Sequence, residues 1–157
     1  ATQEIEFSLI SGKSKEVIAK IIDQAKKNPT NKLYPFYLGI AYNSVNDLTK
    51  AEEAYKSAIA IDPNYADAYT NLGAVLFNKG INTYNTANKL PQNKQKEYDV
   101  MLKKAYDQFE VALPYVQKAI ELDPSSRVAL ESLKKYYIIK KDKAKMEEVN
   151  QKLKALK

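Results

Sequence analysis

The sequence predicts an all-α chain: about eight helices in antiparallel pairs, stacked as a solenoid, with no sheet. Three observations lead there. The segments "SAIAIDP" and "KAIELDP" nearly repeat one another and end at Pro63 and Pro124. Pro29, after "IIDQAKKN", lies 34 residues before Pro63, and Pro124 lies 61 residues after it. Leu38-Gly39 returns as Leu72-Gly73, again 34 residues on. A closed four-helix bundle would not need this echo, whereas a repeated helix pair must stack on its neighbours to bury its apolar face.

Residues 4–11 read as the remains of a first helix and Gly12 as the turn after it. Ser14 is placed to cap a helix running through Val17, Ile18, Ile21 and Ile22 towards Pro29. "YPFYLGIAYNSV" is the next helical segment, with Leu38 and Tyr42 four apart, and "NSVND" is its turn. Thr49 and Glu52 have capping-box spacing at the start of "LTKAEEAYKSAIAID". That helix carries Ala51, Ala54, Tyr55, Ala58 and Ile59 on one face and stops at Pro63, because proline disfavours helix in the residue before it.

The copy that follows runs normally to Gly80 and resumes near Phe109, so 27 residues are inserted. Ile81, Tyr84 and Ala87 continue the preceding helix. Tyr98, Met101, Leu102, Ala105 and Tyr106 lead into the next, and Pro91 marks the tip between them. The insert, about 81–107, is therefore read as two helical extensions, the second running from about Gln92 to Leu122, or roughly 45 Å. Pro114, inside it, predicts a bend. The last copy reads "RVALESLKKYYIIKK" and "KAKMEEVNQKLKAL". Its stripe of Met146, Val149, Leu153 and Leu156 is expected to pack near Leu133, Tyr137 and Ile138 with the lysines outward.

Leu38, Gly39, Tyr42, Ala51, Tyr55, Ala58 and Pro63 together resemble the tetratricopeptide repeat signature. Tyr69, Leu72, Gly73, Ala112, Ala119 and Pro124 carry it into the next copy. The pattern is similar to bacterial members with a long insert in one repeat. Departures include Pro35, Leu76 and Val116 where the family has aromatics. The resemblance implies one array over 1–157: a partial repeat 1–31, a repeat 32–65, a repeat with the insert 66–126, and a degenerate capping repeat 127–157. Because the chain begins inside a repeat, further repeats are expected before Ala1.

The resemblance also implies a right-handed superhelix whose concave face is lined by the first helix of each pair. The candidate partner-binding residues are Leu33, Phe36, Ile40 and Asn43, then Asp67, Thr70, Asn71, Ala74 and Phe77, then Glu131 and Lys135, beside Val128 and Ile138. Asn71 matches one asparagine of the basic carboxylate clamp by which some members hold chaperone C-termini. The clamp's lysine and arginine positions hold Phe36, Val128 and Ser132, which argues against that partner.

Composition narrows the rest. The chain has no Cys and no His, which removes thiolate nucleophiles, imidazole bases and the usual zinc ligands and leaves the redox compartment open. With four Gly and neither phosphate-loop pattern, nucleotide chemistry has no support. No apolar run is long enough to span a membrane. The expectation is a non-enzymatic scaffold without cofactor or metal that binds a protein or peptide, as a monomer or weak homo-oligomer, in the cytoplasm or periplasm. The competing reading is a structural spacer of a longer repeat protein. Nine lysines from Lys134 onward against three acids account for the whole net charge of +6, so a third reading gives the basic C-terminal helix an acidic partner. A nucleic-acid partner is not expected, since one basic helix without a recognised motif meets only the charge criterion.

Overall fold

The computed structural model describes residues 2–156; Ala1 and Lys157, the limits of the expected array, lie outside the described residues. Among the described residues eight α-helices follow one another: α1 Thr2–Ile10, α2 Ser14–Lys27, α3 Leu33–Ser44, α4 Leu48–Ile61, α5 Ala66–Ala87, α6 Gln95–Leu122, α7 Arg127–Ile139 and α8 Lys143–Ala155. A single 3-10 turn, Gln92–Lys94, precedes α6, and there is no strand among the described residues. The chain divides between Leu72 and Gly73 into two compact units, so α5 contributes its first turns to one and the remainder to the other.

The three prolines mark one recurring turn. Asn31, Tyr65 and Ser126 donate their N–H groups to the carbonyls of Asn28, Asp62 and Asp123, each at 3.1 Å, with the proline second in the turn. In the two Asp-Pro copies the carboxylate also accepts the N–H two residues on, from Asn64 and from Ser125, both at 2.9 Å. This turn is the physical content of the repeated "DP".

A second recurring turn joins the two helices of a pair. Gly12, Asn46 and Lys141 have positive φ of 77°, 61° and 57°. The following N–H of Lys13, Asp47 and Asp142 reaches back to Ser8, Tyr42 and Tyr137, each at 2.9 Å, which is the Schellman pattern of helix termination. In the last two copies the aspartate then caps the next helix. Asp47 accepts from Lys50 N–H and Asp142 from Lys145 N–H, each at 3.1 Å. Thr49 is therefore not the cap of α4, as its spacing suggested, and α2 begins at Ser14 itself after an N-cap residue, Lys13, that gives no side-chain bond.

In the first unit α2 packs on α3 and α3 on α4. Ile5, Val17, Ile21, Tyr34, Tyr37 and Ala41 form one buried cluster. Tyr55 of α4 lies across Gly39 of α3, so close that a β-carbon at Gly39 would fall 2.5 Å from ring carbon Cδ1 and 2.6 Å from Cζ. Ala51, Ala54 and Ala58 are buried beside it, as their spacing required. The Tyr55 hydroxyl is buried with no hydrogen-bond partner, and burial pushes its pKa far up. A buried hydroxyl without a partner costs roughly 1–3 kcal/mol. Tyr55→Phe is thus expected to stabilise the unit by about 1 kcal/mol, read as a rise in the urea midpoint. A fall would mean that the hydroxyl is hydrogen-bonded after all.

In the second unit α5 and α6 carry the inserted residues as helix, and the break around Pro91 is confined to 88–94. Gly80, at the position of the pair-joining turn in other copies, is instead inside α5. A β-carbon there would come 2.5 Å from the Phe109 ring, and one at Gly73 would come 2.8 Å from Val116 Cγ2. The contacts that bring α5 and α6 together are thus made by glycines against large side chains, as at Gly39. Further on, α6 packs on α7 and α7 on α8. Leu130, Val149 and Leu153 are buried together, with Ile120, Leu133, Tyr137 and Leu156 half-buried around them. The expected C-terminal stripe does pack inward, but its main anchor is Leu130. Ile138, expected beneath it, is 51% exposed.

Candidate partner-binding surface

The first-helix residues singled out from the sequence separate by burial. In the first unit, α3 presents Leu33, Phe36, Ile40 and Asn43 at spacings of three and four. Leu33, Phe36 and Ile40 are partly buried against the Ile5–Ala41 cluster, and Asn43 is exposed. The Phe36 ring meets Tyr65 at 5.0 Å, Tyr55 at 5.8 Å and Tyr37 at 6.1 Å between centroids, so this half-buried side chain packs within the first unit. On the first turns of α5, Asp67 is exposed while Thr70 and Asn71 are half-buried. The Asn71 amide donates to the Asp67 carbonyl at 2.8 Å.

In the second unit, Ala74 is half-buried and Phe77 is enclosed. Phe77 is 2% exposed, with Phe109 at 4.9 Å and Tyr136 at 6.4 Å between ring centroids. A side chain so enclosed supports the pair of helices and presents nothing to a partner. On α7 the matching stripe is open: Val128 is 54% exposed, Lys135 is exposed, Glu131 is half-buried, and Ile138 ends the row. Ser132, on the other side of this helix, is buried and donates to the Val128 carbonyl at 2.9 Å.

Two ionic clusters hold the helices that carry these stripes. In the first unit the Lys32 ammonium pairs with Asp62 and lies 4.3 Å from the Tyr65 ring centroid, tying the start of α3 to the end of α4. The Lys32 hydrogen bond keeps the Asp62 carboxyl below its ordinary pKa, helped by the Asn64 N–H, and burial raises the Tyr65 phenol to about 12. In the second unit the Tyr136 hydroxyl donates to both Glu110 carboxylate oxygens, at 3.0 and 3.1 Å, and Lys140 donates to Oε1 at 2.8 Å. The Lys140 hydrogen bond, more than the Tyr136 one, lowers the Glu110 carboxyl. Spacing alone missed this α6–α7 clasp, since Glu110 lies 30 residues from Lys140.

The basic C-terminal region is only partly neutralised. Lys140 and Lys145 pair with Glu110 and Asp142, whereas Lys134, Lys135, Lys141, Lys143, Lys152 and Lys154 form no ion pair among the described residues. No group of three or more His, Cys, Asp or Glu among the described residues is placed to hold a metal ion. Among the described residues no helix is long and apolar enough to cross a membrane.

A protein-family model described as "TPR repeat" matches residues 39–80, the stretch from the close-packed Gly39 to Gly80. No curated protein matches the chain. Among solved structures, "MamA 41-end from Desulfovibrio magneticus RS-1" is similar at 21% identity and a TM-score of 0.49, over 98% of this chain and 91% of that one. A "MamA RS-1 ArsTM double mutant" gives the same identity and TM-score. "Crystal structure of APC/C hetero-tetramer Cut9-Hcn1" is similar at 19% identity and a TM-score of 0.44, covering 99% of this chain and 31% of that one. Residues 39–80 match the tetratricopeptide repeat, and the described residues around them form an all-α chain of successive helix pairs.

Proposed function

We propose that each unit of the chain binds a peptide or protein segment through the first helices of its pairs: the first at the stripe carrying Phe36, Ile40, Asn43 and Asp67, the second at the stripe carrying Glu131 and Lys135. The observation that carries this reading is the open stripe of α7, where Val128 and Ile138 stay more than half exposed at helical spacing on either side of charged residues. Apolar side chains interleaved with charges on a helix face suit recognition of an extended or helical segment, which needs a few apolar anchors and polar groups to set register. Half-buried Thr70 and Asn71 would add to the stripe of the first unit, and half-buried Ala74 to that of the second. The absence of Cys and His is consistent with a binding rather than a catalytic role.

Phe36→Ala is a poor test, because the ring also packs on three tyrosines. Asn43→Arg and Lys135→Glu change exposed side chains only. Peptides selected on the immobilised chain from a random library should lose about tenfold in affinity with one or both of these variants, while the melting temperature stays within a degree or two. Failure to select any saturable binder would favour the spacer reading.

A further inference from the structure

The two clearest pair-joining turns, α3–α4 and α7–α8, are the same structure with different surfaces. Tyr42, Asp47 and Lys50 correspond to Tyr137, Asp142 and Lys145, ninety-five residues on. In both, the lysine ammonium lies over the tyrosine ring, at 5.4 and 5.6 Å from the centroid, and pairs with the capping aspartate. The hydrogen bonds of the turn also match. Around this shared frame several residues change character: Asn43 becomes Ile138, Val45 becomes Lys140, Asn46 becomes Lys141, Leu48 becomes Lys143, and the fully buried Ala51 becomes the half-buried Met146. The turn itself therefore does not require an isoleucine or a methionine at these places.

A cleft of about 510 Å³ lies at the α7–α8 turn, walled by Tyr137, Ile138 and Met146 and rimmed by Lys141, Lys143 and Glu147. Its wall is apolar, yet Ile138 stays 51% exposed. Asp142 is on the rim, but its carboxylate already takes the Lys145 N–H and faces the Lys145 ammonium. Glu147 accepts from the Asn150 amide at 3.3 Å. Lys141 and Lys143 have no ion pair among the described residues, and they stand in the segment that supplies the whole net charge of the chain.

We propose that this cleft is a second docking site, distinct from the first-helix stripes, for an acidic protein segment that inserts one large apolar side chain between Tyr137, Ile138 and Met146 while its carboxylates meet Lys141 and Lys143. Charge complementarity selects the occupant: a neutral segment would leave both ammonium groups unanswered, and a basic one would be repelled. The inference stands apart from the first-helix reading, since no residue of that reading other than the row's end, Ile138, lies in the cleft.

Fluorescence anisotropy with a labelled peptide that places one leucine among aspartates and glutamates tests it. Saturable binding is expected, weakened about tenfold by Ile138→Ser in the protein and by leucine-to-serine in the peptide. The double change Lys141→Glu and Lys143→Glu should abolish it, while Asn43→Arg leaves it unaltered. Thermal unfolding of each variant separates loss of the site from loss of fold, and Lys143→Gln supplies a milder charge change. Three results would overturn the proposal: no saturation, equal binding of the leucine-free peptide, or tighter binding of a labelled single-stranded oligonucleotide that ignores Ile138→Ser. The last would make the surface a non-specific anion binder. Sedimentation of the chain alone checks self-docking: a dimer broken by Ile138→Ser would give the cleft to a second copy instead.

Discussion

Gly39→Ala is expected to destabilise the first unit by about 3 kcal/mol. In an unconstrained helix the same change would be favourable by roughly 1 kcal/mol, because alanine loses less backbone freedom than glycine. Here the new methyl carbon would overlap the Tyr55 ring, 2.5 Å from Cδ1. The ring cannot swing away, since Tyr55 has no exposed surface and is packed against Phe36. Relief requires α3 and α4 to move apart, which opens the row of buried alanines, Ala51, Ala54 and Ala58, along their contact. Urea unfolding followed by far-UV circular dichroism reads the change directly. A neutral or stabilising result would show that Tyr55 does not lie across Gly39.

Ending the chain at Lys141 should cost the second unit about 5 kcal/mol and lower its melting temperature by about 25 °C. The truncation removes Val149 and Leu153, both buried, and half-buried Leu156, and it uncovers Leu130, which has no exposed surface. It also removes the bond from Arg127 Nη2 to the Leu156 carbonyl, 2.7 Å long, which fastens the end of α8 back to the start of α7. The newly exposed apolar strip along α7 is continuous with Leu133 and Tyr137, so the shortened chain should also associate. Differential scanning calorimetry and sedimentation velocity check the two effects separately. A truncated chain as stable and monomeric as the parent would mean that α8 contributes binding and no stability.

Local chemistry explains which features were legible in the sequence. The Asp-Pro turns could be read because proline and an Asx turn act within four residues, and the insert could be read as helix because Ile81, Tyr84 and Ala87 keep the period. Gly39 and Tyr55 could be read as parts of one repeat signature, but that the Tyr55 ring lies directly across Gly39 could not. The cap of α4 could not be read: the capping-box spacing of Thr49 and Glu52 points to Thr49, whereas Asp47, two positions earlier, accepts the Lys50 N–H. The partners of Gly73 and Gly80, Val116 and Phe109, lie beyond the insert, where no fixed spacing links them. Phe77 shows the limit for the candidate surface. A helical wheel assigns it to the same stripe as Ala74, but not what covers that stripe, and here Phe109 and Tyr136 do. Ile138 errs the other way: its period fits the core, and its neighbours leave it open.

The most direct test of the binding role is an NMR titration of the isotopically labelled chain with a peptide selected on it. Amide shifts should concentrate on α3 around Asn43, on the first turns of α5 around Asp67, and on α7 around Lys135, with α2, α4 and the outer face of α6 unchanged. Shifts confined to those second helices, or none at saturating peptide, would contradict recognition through the first helix of each pair.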